Sequence, residues 1–360
     1  MSEKLPPAVK STWARDLPIF DEAAAAAARA HQGQLTKPPG SLGRLEELGV
    51  FFAGARGQFP VAAPERARIY VFAADHGVAA EGVSPYPSSV TAAMVANFVA
   101  GGAAISVLTR SLGIELGVVD VGVATPIPPV AGATVLSLPV RKGTASFLRE
   151  PAMTRAEAQA ALDVGVRLAA DAAGEGVALL GAGEMGIGNT TAAAAVVAAL
   201  TGAAPEAVVG RGTGVDDAGL ARKIEVVRAS LERHRPDPAD ALGVLAAVGG
   251  LEIAAMAGLM LGGAERRVPV VVDGFISGAA ALVAARLAPR VRDFLCFSHL
   301  SAERGHRVVC DALDARPLFD LGMRLGEGTG AALAVNLLRS AVRLQGEMAT
   351  FASAGVANRE

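Results

Sequence analysis

Two glutamates stand inside glycine-rich segments of the sequence. Glu327 lies between Gly326 and Gly328 in RLGEGTGAALA, and Glu184 lies in GAGEMGIGNTT. A single acid of this kind is explained equally well by the favourable dipole at a helix start and by catalysis. Two acids on separate glycine-rich segments form a candidate acid/base or electrostatic pair. We therefore predict that Glu184 and Glu327 are catalytic residues.

The segment around Glu184 also has the features of a phosphate-binding helix start. Its glycines at 181, 183 and 186 match G-x-G-x-x-G, which is formally a dinucleotide-binding pattern. We expect Asn189, Thr190 and Thr191 to cap a helix that starts late, so that the glycines form a loop before it. Free backbone N–H groups and the positive dipole end then favour a phosphate monoester. A Rossmann-type NAD(P)-dependent oxidoreductase is the alternative function.

Lys223, in ARKIEVV, could add a positive charge to that phosphate site, although most single helix lysines are solvated. Other chemistries find little support. The sequence has no Walker A motif, no G-x-S-x-G motif and no glycine-rich elbow around either cysteine. His299, Glu303 and His306 in HLSAERGH lack the spacing of zinc proteases. We predict neither a metal site nor a cofactor.

Six runs of apolar and β-branched residues alternate with alanine-rich stretches, which is typical of βαβ units and a parallel sheet. The runs cover 68–77, 114–123, 176–184, 206–214, 268–278 and 293–303, and a capping box at 154–157 starts one intervening helix. Ligands bind at the carboxyl ends of strands in such sheets. We expect the polar residues there to converge on one site: Asp75, His76, Asp120, Glu184, Asp273, Ser298, His299 and Ser301.

The N-terminal part reads as helical. Residues 21–32 form one predicted helix, and a turn at 38–40 precedes a second one with Ser41 as its candidate N-cap. We predict a helical lead-in over 1–60 that is part of a small helical domain. An α/β nucleotide- and base-binding domain follows over 61–340, and a C-terminal helix or tail over 341–360.

Composition and charge favour a small-molecule partner. The 360 residues are 52% hydrophobic with a net charge of −2, which gives no electrostatic signature of nucleic acid or anionic membrane binding. The apolar tracts 189–204 and 243–263 are too interrupted to span a membrane. The N-terminal MSEKLPPAVKSTWARDLPIF does not read as a secretory signal. Two cysteines without a metal or disulfide pattern suit a reducing compartment, and we predict a cytoplasmic protein.

Six ordered motifs resemble the nicotinate-nucleotide:dimethylbenzimidazole phosphoribosyltransferase family over residues 20–350. They are KPPGSLGRLEEL, ADHGVAAEGVSPYPSSVTAAMVANF, GAGEMGIGNTTAAAA, VDGFISGAAAL, SHLSAERGH and RLGEGTGAALA. The resemblance implies transfer of ribose 5-phosphate from nicotinate mononucleotide to a benzimidazole nitrogen, giving α-ribazole 5'-phosphate and nicotinate for the nucleotide loop of cobalamin. It also implies a homodimer, with a Rossmann-like, doubly wound, mostly parallel α/β domain and a small helical domain from both termini.

The resemblance also assigns residues. Glu327 would be the base that takes the benzimidazole proton, and Glu184 the second active-site carboxylate. The phosphate and nucleotide would contact Gly186, Gly188, Asn189, Thr190, Lys223, Ser301 and Gly326. The acceptor base would contact Ser84, Tyr86, Met94 and Leu325. Some relatives carry serine and glutamine where this chain has Tyr86 and Met94, so the preferred acceptor base stays open among benzimidazoles, purines and phenols.

Overall fold

A six-stranded parallel β-sheet forms the centre of the protein, for which the computed structural model describes residues 17–357. The strands are β1 Ala67–Ala74, β2 Glu115–Gly122, β3 Leu136–Ser137, β4 Leu179–Met185, β5 Val270–Val272 and β6 Leu295–Phe297. Their order is β3-β2-β1-β4-β5-β6, and each neighbouring pair is parallel. This is the order of Rossmann-like folds, with a topological switch point between β1 and β4. The predicted fold class is confirmed.

Helices cover both faces of the sheet. They are α1 Glu22–Gln32, α2 Arg44–Arg56, α3 Ser89–Ala100, α4 Ala104–Leu112, α5 Arg155–Gly174, α6 Asn189–Thr201, α7 Pro205–Val208, α8 Asp217–His234, α9 Ala241–Val248, α10 Leu251–Glu265, α11 Phe275–Leu287, α12 Gly305–Leu313, α13 Thr329–Glu347 and α14 Phe351–Ala354. Alternate residues of β1 face opposite cores, because successive strand side chains point to opposite sides. Phe72 belongs to the core that includes residues of α5, α6 and α10. Val71 belongs to the core that includes residues of α2, α3 and α13.

The strand predicted at 206–214 is wrong. Pro205 starts the short helix α7, and a loop with glycines at 210, 212 and 214 follows it. Gly212 and Gly214 have φ values of 53° and 105°, which a β-strand cannot accommodate. The run 268–278 is a strand only over Val270–Val272, since α11 begins at Phe275. The capping box at Thr154 is confirmed: Thr154 and Glu157 each accept from the other's backbone N–H.

The N-terminal helices are present, with one correction. α1 begins after Asp21, whose side chain accepts from the N–H of Ala24. α2 begins at Arg44 after Gly43, so Ser41 is not its N-cap. Both helices contact α13, and a bridge joins Leu35 to Thr350, so the two ends of the described chain lie together. The domain boundaries stay a prediction. The N-terminal segment that we predict is not a secretory signal lies mostly outside the described residues, which begin at Leu17.

Close contact between α5 and α10 depends on glycine. A Cβ on Gly258 would lie 1.9 Å from the carbonyl oxygen of Leu162, and one on Gly165 would lie 1.9 Å from that of Ala255. Backbone atoms cannot move aside as a flexible side chain can. The two helices therefore approach each other only because both crossing points lack a side chain.

We expect Gly258→Ala to lower the free energy of unfolding by about 1–3 kcal/mol, because the added methyl group forces α5 and α10 apart. Urea denaturation monitored by circular dichroism measures this. Gly174→Ala is the control, since a Cβ at Gly174 meets nothing within 4 Å. It should leave stability unchanged or raise it by up to about 1 kcal/mol. Equal effects of the two substitutions would contradict the packing argument.

Candidate active site

A cavity of about 650 Å³ opens at the carboxyl ends of the strands, as the strand order predicts. The end of β4, the start of α6, the start of α11 and the chain before α13 contribute to its wall. Most residues assigned from sequence line it: Tyr86, Met94, Glu184, Gly186, Asn189, Thr190, Ser301, Leu325, Gly326 and Glu327.

Three assigned residues lie outside the wall. Ser84 is linked to it through a hydrogen bond between its Oγ and Thr213 Oγ1, 3.3 Å apart. Gly188 is the N-cap of α6, with a φ of 96° that favours glycine. Lys223 lies behind Thr190, to which its Nζ donates over 2.9 Å.

Glu327 projects from a strained turn directly before α13. Its φ is 63°, which is uncommon for any residue but glycine, and Gly326 and Gly328 on either side have φ values of 81° and 89°. Its side chain lines the cavity although the residue is only 7% exposed. Burial raises the pKa of Glu327, against the opposing effect of the Ile105 N–H, which donates to Oε2 over 3.4 Å. A weakly solvated carboxylate of this kind suits a general base.

Glu184, in β4, is buried beside this turn. It accepts from the side-chain amide of Asn189 and from the backbone N–H of Glu327. A Cβ on Gly326 would lie 2.1 Å from Oε1 of Glu184, so glycine is needed there. Burial, followed by the nearby Asp273 and Glu252 carboxylates, raises the pKa of Glu184 to about 8. A pKa above neutral favours the protonated form of Glu184 in the substrate-free protein.

Asp273, directly after β5, is a third buried carboxyl group at this end of the sheet. It accepts from the backbone N–H of Gly328 over 3.2 Å and from that of Ala331 over 2.8 Å. Burial is the largest cause that raises the pKa of Asp273 to about 7, while these N–H groups oppose it. The sequence marks Asp273 as a polar strand end. It gives no sign that its partners come from the start of α13.

The remaining strand-end residues hold neighbouring loops. Asp120 accepts from the N–H groups of Gly122 and Val123, and Asp75 accepts from that of Ala124. His76 forms a buried pair with Glu252, with 2.8 Å between Nε2 and Oε1. These residues do not line the cavity. The expected convergence therefore holds for Glu184, His299 and Ser301, with Asp273 and Ser298 packed behind them.

The glycine pattern around Glu184 does not form a dinucleotide loop. Gly181 and Gly183 lie inside β4, and α6 begins at Asn189, earlier than expected from its capping residues. A Cβ on Gly183 would lie 2.4 Å from the carbonyl oxygen of Glu327, so this glycine lets the turn before α13 pass the strand. The helix start itself is retained, because Gly188 leads directly into α6 at Asn189 and Thr190.

Lys223, in α8, is not the solvated lysine that its sequence context favoured. It is 1% exposed, and burial lowers its pKa to about 8, against the opposing charge of Glu303. Its bond to Thr190 ties α8 to the first turn of α6. A buried cation behind a helix start is suited to hold an anion.

The histidines of HLSAERGH serve the local structure. His306 Nδ1 accepts from the N–H of Ser301 over 2.8 Å, and burial lowers the pKa of His306 to about 4. His299 stacks on Phe319 and lies hydrogen-bonded to Ser298. Within residues 17–357, no group of three or more His, Cys, Asp or Glu side chains is arranged to hold a metal ion.

The fold and the cavity together define a class of protein. It is an α/β enzyme of Rossmann-like topology, whose cavity is lined by a lysine-backed helix start and by weakly solvated carboxyl groups. The first feature suits a nucleotide phosphate, and the second suits proton transfer or a developing positive charge.

Comparison with known proteins gives the family. A family model described as phosphoribosyltransferase matches residues 17–356. A nicotinate-nucleotide–dimethylbenzimidazole phosphoribosyltransferase of Roseiflexus sp. (strain RS-1) is 56% identical over 351 residues, 98% of either chain. A protein of that name from Geobacter sp. (strain M21) is 49% identical over 97% of this chain and 99% of its own. The crystal structure of a Thermus thermophilus enzyme of that name, 49% identical, gives a TM-score of 0.88 over 94% of this chain and 100% of its own. The chain belongs to this phosphoribosyltransferase family.

We expect Glu184→Gln to stabilise the protein increasingly as pH rises. The pKa of Glu184 is raised from 4.5 to about 8 in the folded state. Its contribution to stability is therefore fully present below pH 4.5 and is lost as pH rises through about 8. Thermal unfolding of the variant and the wild type between about pH 5 and 9 measures the difference in Tm, which should grow with pH. Glu347→Gln, at the exposed far end of α13, is the control. A difference independent of pH would contradict the assignment.

Proposed function

We propose that the chain transfers the 5-phosphoribosyl group of nicotinate mononucleotide to 5,6-dimethylbenzimidazole or a related base. The products are α-ribazole 5'-phosphate and nicotinate, and the reaction belongs to assembly of the nucleotide loop of cobalamin. The names and high identity of the relatives support this function. A Rossmann-type oxidoreductase finds no support, because Gly181 and Gly183 of its supposed phosphate loop lie within β4.

One observation carries the proposal: the cavity places weakly solvated carboxyl groups beside a phosphate-ready helix start. The nicotinate ring of the substrate is a pyridinium cation that leaves as a neutral ring. The carboxyl groups that line the cavity give this cation a counter-charge. The cation in turn favours their ionised form, which burial disfavours. The same wall stabilises positive charge that develops on the ribose as the bond to nicotinate breaks.

In this account Glu327 is the catalytic base. One benzimidazole nitrogen attacks the anomeric carbon, and the N–H on the other nitrogen becomes more acidic as that bond forms. Glu327 accepts this proton. The raised pKa of Glu327 helps, because it brings the basicity of the carboxylate closer to that of the azole at the transition state.

Glu184 serves as the electrostatic partner. It is held against Gly326 by Asn189 and by the backbone of Glu327, so it needs no rearrangement when charge develops. Its raised pKa favours the protonated form in the free protein, and the incoming cation favours the ionised form. The two glutamates thus divide the work: Glu327 moves a proton, and Glu184 stabilises charge.

The substrate's phosphate lies at the start of α6. Asn189 and Thr190 begin that helix, with Gly186 and Gly188 before it, and Lys223 lends its charge from behind Thr190. Ser301 lines the same cavity. The backbone N–H groups of a helix start match a phosphate monoester without a bound metal ion.

The acceptor base lies against an apolar wall. Tyr86, Val90, Met94 and Leu325 line the cavity, and Ser84 lies behind Thr213. A flat wall of this kind contacts the faces of an aromatic ring and adds few groups that distinguish one ring nitrogen pattern from another. The choice of acceptor among benzimidazoles, purines and phenols then depends on how well each ring fits against Tyr86 and Met94.

A homodimer fits the exposed apolar surface. Tyr86 and Leu325 are 51% and 58% exposed at the cavity rim. A second copy that covers Tyr86 and Leu325 would remove these side chains from water. The nearby segment Ser89–Leu112 is apolar and long enough to span a membrane, but it is not one continuous helix, because α3 ends at Ala100 and α4 begins at Ala104. Light scattering of the purified protein should give twice the 36.3 kDa chain mass, and a monomer mass would contradict the dimer.

A cytoplasmic location also remains a proposal. Its support is that Cys296 and Cys310 are both buried and free, which suits a reducing compartment.

We expect Glu327→Gln to lower kcat by about two to four orders of magnitude, with a smaller effect on the KM for nicotinate mononucleotide. The amide keeps the shape of the side chain but cannot accept the proton. The assay incubates the protein with nicotinate mononucleotide and 5,6-dimethylbenzimidazole, and mass spectrometry quantifies nicotinate and α-ribazole 5'-phosphate. Glu347→Gln should retain the wild-type rate. A near wild-type kcat for Glu327→Gln would exclude Glu327 as the base, and a wild type that forms neither product would exclude the function.

A further inference from the structure

Glu327 depends on its surroundings for its position. It is a non-glycine residue at a φ of 63°, and glycines at positive φ flank it on both sides. Such a segment has several accessible conformations unless other groups fix it. The glutamate's own side chain contributes one long hydrogen bond, in which Oε2 accepts from Ile105 N over 3.4 Å. The position of the carboxylate must therefore be set mainly through the backbone of the turn.

Asp273 contacts that backbone immediately after Glu327. Its Oδ2 accepts from Gly328 N and its Oδ1 from Ala331 N, at 3.2 and 2.8 Å. These are N–H groups of the first turn of α13, which have no partner within their own helix. A carboxylate from the end of β5 thus caps a helix whose N-cap, Gly328, lies 55 residues further along the chain.

The backbone of Asp273 is itself held from two sides. Ser298 Oγ donates to the carbonyl oxygen of Asp273 over 2.9 Å, and the N–H of Asp273 donates to Ser277 Oγ over 3.2 Å. Ser298 is in turn hydrogen-bonded to His299 Nδ1, 3.0 Å away. The carboxylate is therefore a fixed point on the sheet, to which the glycine-rich backbone around Glu327 is attached.

We propose that Asp273 is a positioning residue for the reaction: by binding the N–H groups of Gly328 and Ala331, it fixes the backbone from which Glu327 reaches the acceptor base. The inference rests on the proposed function for Glu327 and deepens it. Asp273 acts through Glu327 and does not touch the reacting atoms, since it lies behind the cavity wall.

The structure also explains why an acid is needed at this position. The N–H groups of Gly328, Gly330 and Ala331 converge here, and a carboxylate offers them two acceptor atoms. An asparagine can keep Oδ1 toward Ala331 N–H only by turning its NH2 group toward the N–H of Gly328. Alanine offers neither acceptor. The graded loss from aspartate to asparagine to alanine is therefore a direct readout of the two bonds.

We expect Asp273→Asn to lower kcat about 10-fold and Asp273→Ala about 100-fold, with the KM for nicotinate mononucleotide changed less than about 3-fold. Asp120→Asn is the matched control. Asp120 is another buried strand-end carboxyl group that accepts two backbone N–H groups, but it lies outside the cavity. It should retain kcat within about twofold. Wild-type kcat in both Asp273 variants, or an equal loss in the Asp120 variant, would overturn the proposal.

A double-mutant cycle distinguishes positioning from general structural damage. In a Glu327→Gln background no base remains to be positioned, so adding Asp273→Asn should change the residual rate by less than about twofold. An equal loss of about 10-fold in both backgrounds would overturn the proposal. Should Asp273→Asn unfold below the assay temperature, Ser298→Ala replaces it in the cycle, because it removes the bond to the Asp273 carbonyl. It should then lower kcat in the wild-type background alone.

Hydrogen exchange gives a readout independent of activity. Asp273→Asn should speed amide exchange of the segment 326–331, while Asp120→Asn leaves it unchanged. Unchanged exchange in the Asp273 variant would overturn the proposal that Asp273 holds this turn. If the wild type released no nicotinate, the proposed function would fail, and the exchange experiment would still decide whether Asp273 holds the turn.

Discussion

Withdrawal of three carboxyl groups from water at one end of the sheet is the constraint on which the rest of the structure depends. Glu184, Asp273 and Glu327 come from β4, the end of β5 and the turn before α13, and each is at most 7% exposed. Burying ionised carboxylates together is unfavourable. The protein offsets the cost with backbone N–H groups at the start of α13, a side-chain amide on Asn189 and a raised pKa that favours the protonated form of Glu184.

This arrangement explains the glycines around Glu184 and Glu327. Gly183 allows the backbone of Glu327 to cross β4, and Gly326 makes room for the Glu184 carboxyl group. Their role is close approach between two chain segments, in place of the dinucleotide contact that the G-x-G-x-x-G spacing suggests. Lys223 packs behind Thr190 at the start of α6, and that helix start lines the same cavity as the two glutamates.

Local signals in the sequence predicted much of this. Alternating strand and helix patterns predicted the sheet, and glycine-flanked acids pointed to Glu184 and Glu327. The pattern failed at 206–214, where proline and glycines override β-branched residues. It could not reveal the role of Asp273, because the partners of its carboxylate lie far along the chain. Burial of Lys223 was likewise hidden, since a helix lysine carries no sequence mark of what packs over it.

The central claim is that burial keeps a proton on the Glu184 carboxyl group at neutral pH. Neutron diffraction from deuterated crystals of the substrate-free protein grown at neutral pH observes this atom directly. The account predicts a deuteron on the carboxyl group of Glu184. A Glu184 carboxyl group without a deuteron would contradict it.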